Sequence, residues 1–194
     1  MKRIITISLS FFLALSFISC NRQVQRIDTD TTTDISGRWN DTDARITAQE
    51  LISEAMSQPW LERHVSDTGK KPVVICGLVE NKSHEHIEAE TFVKELEKAF
   101  IKSGRVRVVQ GGNMREQIRR ERADQQNNSS VETMKKWGLE VGADYMLQGV
   151  INSIVDAEGR NKVVYYQIDM ELTNMETNEL VWIGDKKIKK YIKN

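Results

Sequence analysis

The C-terminal quarter of the chain constrains its fold most. Tyr145 to Val155 alternates between apolar and polar residues. Val164, Tyr166, Ile168, Met170 and Leu172 then take every second position, with Tyr165, Gln167, Asp169 and Glu171 between them. A period of two sends successive side chains to opposite faces of a sheet, so one face is buried and the other wet. Glu158-Gly159 separates the first two runs, and Asn174 to Glu179 turns the chain into Leu180-Val181-Trp182-Ile183. Strands joined by such short turns read as a three-stranded antiparallel meander.

Helical periodicity dominates upstream. Ala48, Leu51, Ile52, Ala55 and Met56 recur at steps of three and four, the stripe of a helix packed on one side. Asp41 or Thr42 is the expected cap. Pro59 suits the first turn of a second helix carrying Trp60 and Leu61. Pro72 to Val79 is apolar almost throughout, as in a strand covered on both faces. Phe92, Val93, Leu96, Ala99 and Phe100 mark a third helix, which Gly104 ends. Arg105 to Val109 reads as a strand. Asn113 to Gln126 is strongly charged, with only Met114 and Ile118 to anchor it, so it is a solvated helix. Asn127 to Ser130 reads as a loop, and Ser129 with Glu132 as a capping box for a helix presenting Val131, Met134 and Leu139. Helices lie early and the meander late. The class is therefore α+β: a mainly antiparallel sheet of about four to five strands flanked by helices.

The N-terminus is of a different kind. Met1-Lys2-Arg3 precedes an apolar run from Ile4 to Ile18, shorter than the roughly 20 residues that span a bilayer and of the length of a secretory signal. Phe17-Ile18-Ser19-Cys20 resembles a bacterial lipobox. The resemblance implies removal of residues 1–19, a diacylglycerol on the Cys20 thiol and an acyl chain such as palmitate on its new amino group. Several chains anchor stably where one does not. Residues 20–36 read as anchor and tether, because Asp28-Thr29-Asp30-Thr31-Thr32-Thr33-Asp34 offers little to bury. No Asp follows Cys20 and no dense acidic run stands there, so the expected location is the periplasmic face of the outer membrane. Residues 37–194 read as a single globular domain.

Without residues 1–19, which hold Lys2 and Arg3, 26 basic residues face 28 acidic ones. That balance argues against a nucleic-acid partner. Cys76, inside an apolar strand, is then the remaining thiol and reads as a small buried hydrophobe. His84-Glu85-His86 places two imidazoles two residues apart, which on a strand share a face and can grip a metal. The only other histidine is His64, too few for a three-ligand site, so an exposed loop is the expectation. Gly111-Gly112 lacks the spacing and lysine of a phosphate loop. Glu88 with Glu90, and Glu95 with Glu97, read as the wet face of a helix. No catalytic residue, metal ligand or cofactor site is expected. Lys186, Lys187, Lys189, Lys190 and Lys193 suit either an edge strand guarded by lysines or an anionic partner such as lipid phosphates.

Several blocks carry a family resemblance: Gly37-Arg38-Trp39-Asn40-Asp41-Thr42-Asp43, Lys71-Pro72-Val73-Val74-Ile75, Asn81-Lys82-Ser83, Ser103-Gly104-Arg105-Val106-Arg107-Val108-Val109, Gly142-Ala143-Asp144-Tyr145-Met146-Leu147-Gln148-Gly149 and Asn178-Glu179-Leu180-Val181-Trp182. The set resembles the LpoB family, outer-membrane lipoproteins that activate a bifunctional penicillin-binding protein. The resemblance implies a non-catalytic domain that docks on the periplasmic part of that synthase and raises its glycosyltransferase and transpeptidase rates. It transfers no partner-contact residue. Enterobacterial members carry a long proline-rich tether, whereas residues 21–36 here are sixteen and contain no proline. Fully extended they reach roughly 55 Å; as a flexible coil they span about 20–25 Å. A second reading is a structural or secretion-assembly lipoprotein related to curli and flagellar accessory proteins.

Overall fold

The structure, a computed structural model, describes residues 23–29, 31–128 and 140–193. The signal, Cys20 and the Ser129–Glu132 capping box with its helix lie outside those residues. The chain forms two compact units, Met1–Thr31 and Thr32–Asn194. In the first, the described residues are exposed and turn once, where Thr31 N–H donates to the Asp28 carbonyl at 3.1 Å. All elements below belong to the second.

The stripe from Ala48 to Met56 lies on α1 (Asp41–Ser57), with all five residues buried. Its cap is Asn40 rather than Asp41 or Thr42. Asn40 holds extended backbone, its side chain accepts from Asp43 N–H at 3.1 Å, and the Asp43 carboxylate accepts in return from Asn40 N–H at 3.0 Å. The reciprocal box satisfies two backbone donors at once, and it places Thr42 inside the helix, buried. Next come α2 (Pro59–Thr68), with Pro59 in its first turn, and β1 (Val73–Lys82). They are followed by α3 (Ala89–Ser103), which ends at Gly104 in the left-handed conformation, φ 65°. β2 (Arg107–Val109) starts two residues later than Arg105. α4 (Gly112–Asn128) runs through Asn127 and Asn128, where a loop is expected from sequence. The meander is β3 (Tyr145–Glu158), β4 (Asn161–Asn174) and β5 (Leu180–Lys193).

The α+β class and the meander stand as expected, and the antiparallel ladders are the longest in the sheet. The strand order is β2-β1-β3-β4-β5, and β1 pairs in parallel with both β2 and β3. Those two parallel pairs require crossovers, made by α3 and by the chain through α4. Interior position explains why Val73, Val74, Ile75 and Cys76 are all buried. α1 packs on α3 and along β5, while α3 packs on β1 and β2. Under them lie Leu147, Ile151, Tyr166, Ile168, Met170 and Trp182. Each such side chain contributes about 1.5–3 kcal/mol by leaving water. Gly149 is required by close packing: a Cβ there would collide with the Met170 sulfur and the Asp169 carbonyl.

Candidate functional site

At the end of the sheet where β3 and β5 begin, a cleft of about 790 Å³ opens between α2, the start of β3 and the β4–β5 turn. Its floor is aromatic. Trp60, buried on α2, donates its Nε1 proton to the Ala55 carbonyl at 2.8 Å, and its ring meets that of Tyr145 at 4.9 Å. One turn further along α2, four residues on, His64 packs edge-on against Tyr145 at 5.4 Å. Its Nδ1 shares a 3.1 Å hydrogen bond with the Tyr145 hydroxyl, and its Nε2 lies 3.7 Å from the Asp144 carboxylate.

Asp144 holds three strands together. Its carboxylate accepts from Val73 N–H at 2.7 Å, its own N–H donates to the Val73 carbonyl at 2.8 Å, and its carbonyl accepts from Met175 N–H at 2.9 Å. The Asn174 side chain accepts from the N–H groups of Glu176 and Thr177 at 2.9 and 3.1 Å, and Asn178 takes a positive φ of 60°. Such side-chain-to-backbone bonds make the turn stiff. It raises Met175, Glu176, Glu179 and Leu180 to the cleft rim, all exposed. With Asp67 and Asp144, four carboxylates surround the cleft against one arginine, Arg63. Burial, then the neighbouring Asp144 carboxylate, pushes the Tyr145 hydroxyl above the usual tyrosine range. The cleft thus joins an apolar floor to an acidic rim, which suits a basic side chain with an apolar stem.

His84, Glu85 and His86 diverge. The His84 ring nitrogen Nδ1 bonds Ser153 Oγ at 2.7 Å, and His86 faces Glu88 at 3.8 Å. Glu85 turns inward, accepting from Trp39 N–H at 3.0 Å and from the Tyr166 hydroxyl. Among the described residues no three His, Cys, Asp or Glu side chains gather to share a metal. Trp39 itself wedges edge-on between Phe92 and Tyr166 at 5.9 and 5.7 Å. Burial pushes the Cys76 thiol up to about 12, so it is held protonated and unreactive. β5 is an edge strand, and three of its lysines are engaged: Lys186 with Glu50, Lys187 with Asp185, and Lys190 with both Asp34 and Asp43. Among the described residues no helix is long and apolar enough to cross a membrane.

Sequence reasoning names His64 and the Asp144-Tyr145 pair separately but does not join them. The signal available was a polar Asp standing directly before a strand, a position where a side chain can serve a neighbouring strand's N–H.

A protein-family model described as a peptidoglycan-synthase activator, LpoB, matches residues 43–188. The chain belongs to the LpoB family. Similar solved structures include the LpoB C-terminal domain from Escherichia coli, 18% identical over 76% of this chain and 99% of that one, TM-score 0.47. The same domain from Salmonella enterica matches at 18% identity over the same shares, TM-score 0.46. The lipoprotein GNA1162 from Neisseria meningitidis matches at 10% identity over 62% of this chain and 83% of that one, TM-score 0.42. No curated protein matches the chain significantly.

Proposed function

We propose that this chain is a non-catalytic outer-membrane lipoprotein, acylated at Cys20, that binds the periplasmic part of a bifunctional penicillin-binding protein through the acidic cleft and speeds peptidoglycan synthesis. The family match over residues 43–188 carries this reading. The cleft's polar groups support an effector role, since His64 and Asp144 are engaged in structural bonds. An activator works by binding the active form of its target better than the inactive form. A three- to tenfold activation needs about 0.6–1.4 kcal/mol of differential binding, within reach of a small polar interface. Sixteen tether residues reach roughly 55 Å at most, so the synthase or an intermediary comes to the cleft.

The test is a glycan-polymerisation assay with each bifunctional synthase of the same cell, with and without residues 32–194. A rate increase is expected with one of them. Unchanged rates for all, with no binding at micromolar concentration, would favour the structural-assembly reading. In cells, Cys20→Ala should abolish acyl labelling and release the protein from the outer membrane. Persistent label would refute the anchor.

A further inference from the structure

The cleft holds polar atoms that the fold does not use. The His64 side chain is only 10% exposed, and its Nδ1 is taken up by the Tyr145 hydroxyl at 3.1 Å. Its Nε2 makes no hydrogen bond among the described residues; the Asp144 carboxylate stands 3.7 Å away, outside hydrogen-bond range. Asp144 is likewise half committed. Its Oδ2 accepts from Val73 N–H, while Oδ1 accepts no bond among the described residues. Among those residues Arg63, Asp67 and Glu176 form no ion pair, and the Glu179 carboxylate accepts one bond, from the Thr177 hydroxyl at 3.1 Å. A polar atom on a side chain this deeply set calls for a partner.

These groups converge from three elements. Beyond burial, the charges that bear on the Tyr145 hydroxyl are Asp144 at the start of β3, Arg63 and Asp67 on α2, and Glu179 on the β4–β5 turn. Three are negative and one is positive. Met175 and Leu180, 47% and 51% exposed, stand at the rim. A guest that satisfies this cleft carries positive charge, offers several N–H donors in different directions and brings an apolar stem. An ammonium is a compact, strongly hydrated point charge, whereas a guanidinium presents five donors in a planar fork and sheds water more easily. A guest made of donors selects the His64 tautomer whose Nδ1–H donates to the Tyr145 hydroxyl and whose Nε2 accepts. A volume of about 790 Å³ encloses a side chain together with its neighbours, so a chain segment fits it better than a free amino acid.

We propose that the cleft receives an arginine side chain from a loop of its partner, the guanidinium donating to Asp144 Oδ1, His64 Nε2 and the Asp67 and Glu179 carboxylates, and the stem lying on Met175 and Leu180. This rests on the cleft being the partner-binding surface, and its test uses no synthase. Failure of the peptide test therefore leaves the polymerisation assay to judge the role, and failure of that assay leaves the peptide result standing. Residues 32–194 hold the whole core in one compact unit and are the protein used. Labelled with nitrogen-15, they are titrated with the capped peptide Ala-Leu-Arg-Leu-Ala, and with the same peptide carrying citrulline or lysine in place of arginine. Citrulline keeps the shape and loses the charge. The expected result is saturable shifts of the amides of Asp144, Tyr145 and the Asn174–Leu180 turn, with the arginine peptide binding about tenfold tighter than the citrulline one. Asp67→Asn with Glu179→Gln, which keeps an acceptor for the Thr177 hydroxyl, should weaken the arginine peptide about tenfold and leave the melting temperature unchanged. The proposal is overturned by no shift with the arginine peptide at millimolar concentration, by shifts centred elsewhere, by equal binding of the citrulline peptide, or by a double variant that binds like the parent. A lysine peptide that binds as tightly as the arginine one would overturn the choice of a guanidinium and assign the cleft to a lysine.

Discussion

The two ends of the long strands are built by opposite rules. At the cleft end the backbone is locked by polar bonds: Asp144 to Val73 in both directions, and Asn174 across its own turn. Its spare charges are acidic. At the tether end a salt-linked lysine, Lys190, fastens the incoming chain, and the spare charges are of both signs, Lys189 and Lys193 with Asp156 and Glu158 on β3. Fourteen-residue strands separate the two ends by roughly 45 Å. The difference teaches that one sheet can be closed at one end by backbone-directed polar bonds and at the other by an ion pair to an incoming segment.

The sharpest way to break the comparison is to change charge at each end and read synthase binding. Glu176→Lys with Glu179→Lys should weaken synthase binding at least tenfold, about 1.4 kcal/mol, read as the protein concentration that gives half-maximal activation in the polymerisation assay. Equal loss from a Lys189→Gln, Lys193→Gln variant would mean that the synthase reads the other end.

A second change probes the polar lock. Asp144→Ala leaves the buried Val73 N–H without its acceptor. Hydrogen bonds to a charged group are worth about 1.5–3 kcal/mol, so the thermal midpoint should fall by roughly 4–10 °C. Asp144→Asn keeps an acceptor oxygen and should recover part of that loss. If both variants melt like the parent, the cleft end is not held by Asp144.

Lys190→Met should cost less, about 1–2 kcal/mol, in urea unfolding. Burial of Lys190 opposes its charge, but the hydrogen bonds with Asp34 and Asp43 outweigh this and raise its pKa above the usual lysine range. A raised folded-state value means that the stabilisation is complete below the unfolded pKa of about 10.4 and fades as pH climbs through the folded one. The gap between parent and variant should therefore stay constant at neutral pH and close in strong alkali. A gap that closes on acidification to pH 6 would contradict the linkage.

Periodicity made most elements legible before any coordinates. The stripe Ala48–Met56, the run Val73–Cys76, the third helix and the three C-terminal strands are patterns within one element, produced by which face of that element leaves water. β5 is an edge strand, one of the two readings its lysines allowed. The N-cap of α1 was misplaced by one or two residues because Asn40, Asp41 and Thr42 all suit the position. Only the reciprocal bond with Asp43 distinguishes them.

By itself the sequence determined the class, the meander, the resemblance to the LpoB family and the amphipathic faces, since each depends on residues a few positions apart. The tertiary structure alone decided that β1 lies between β2 and β3 in parallel, that Asp144 clamps Val73, that His64 meets Tyr145, and that Lys190 holds Asp34. These partners stand 71, 81 and 156 residues apart. Their meeting is set by how the layers close around the core, and a polar side chain carries no periodic mark of the distant group it will satisfy.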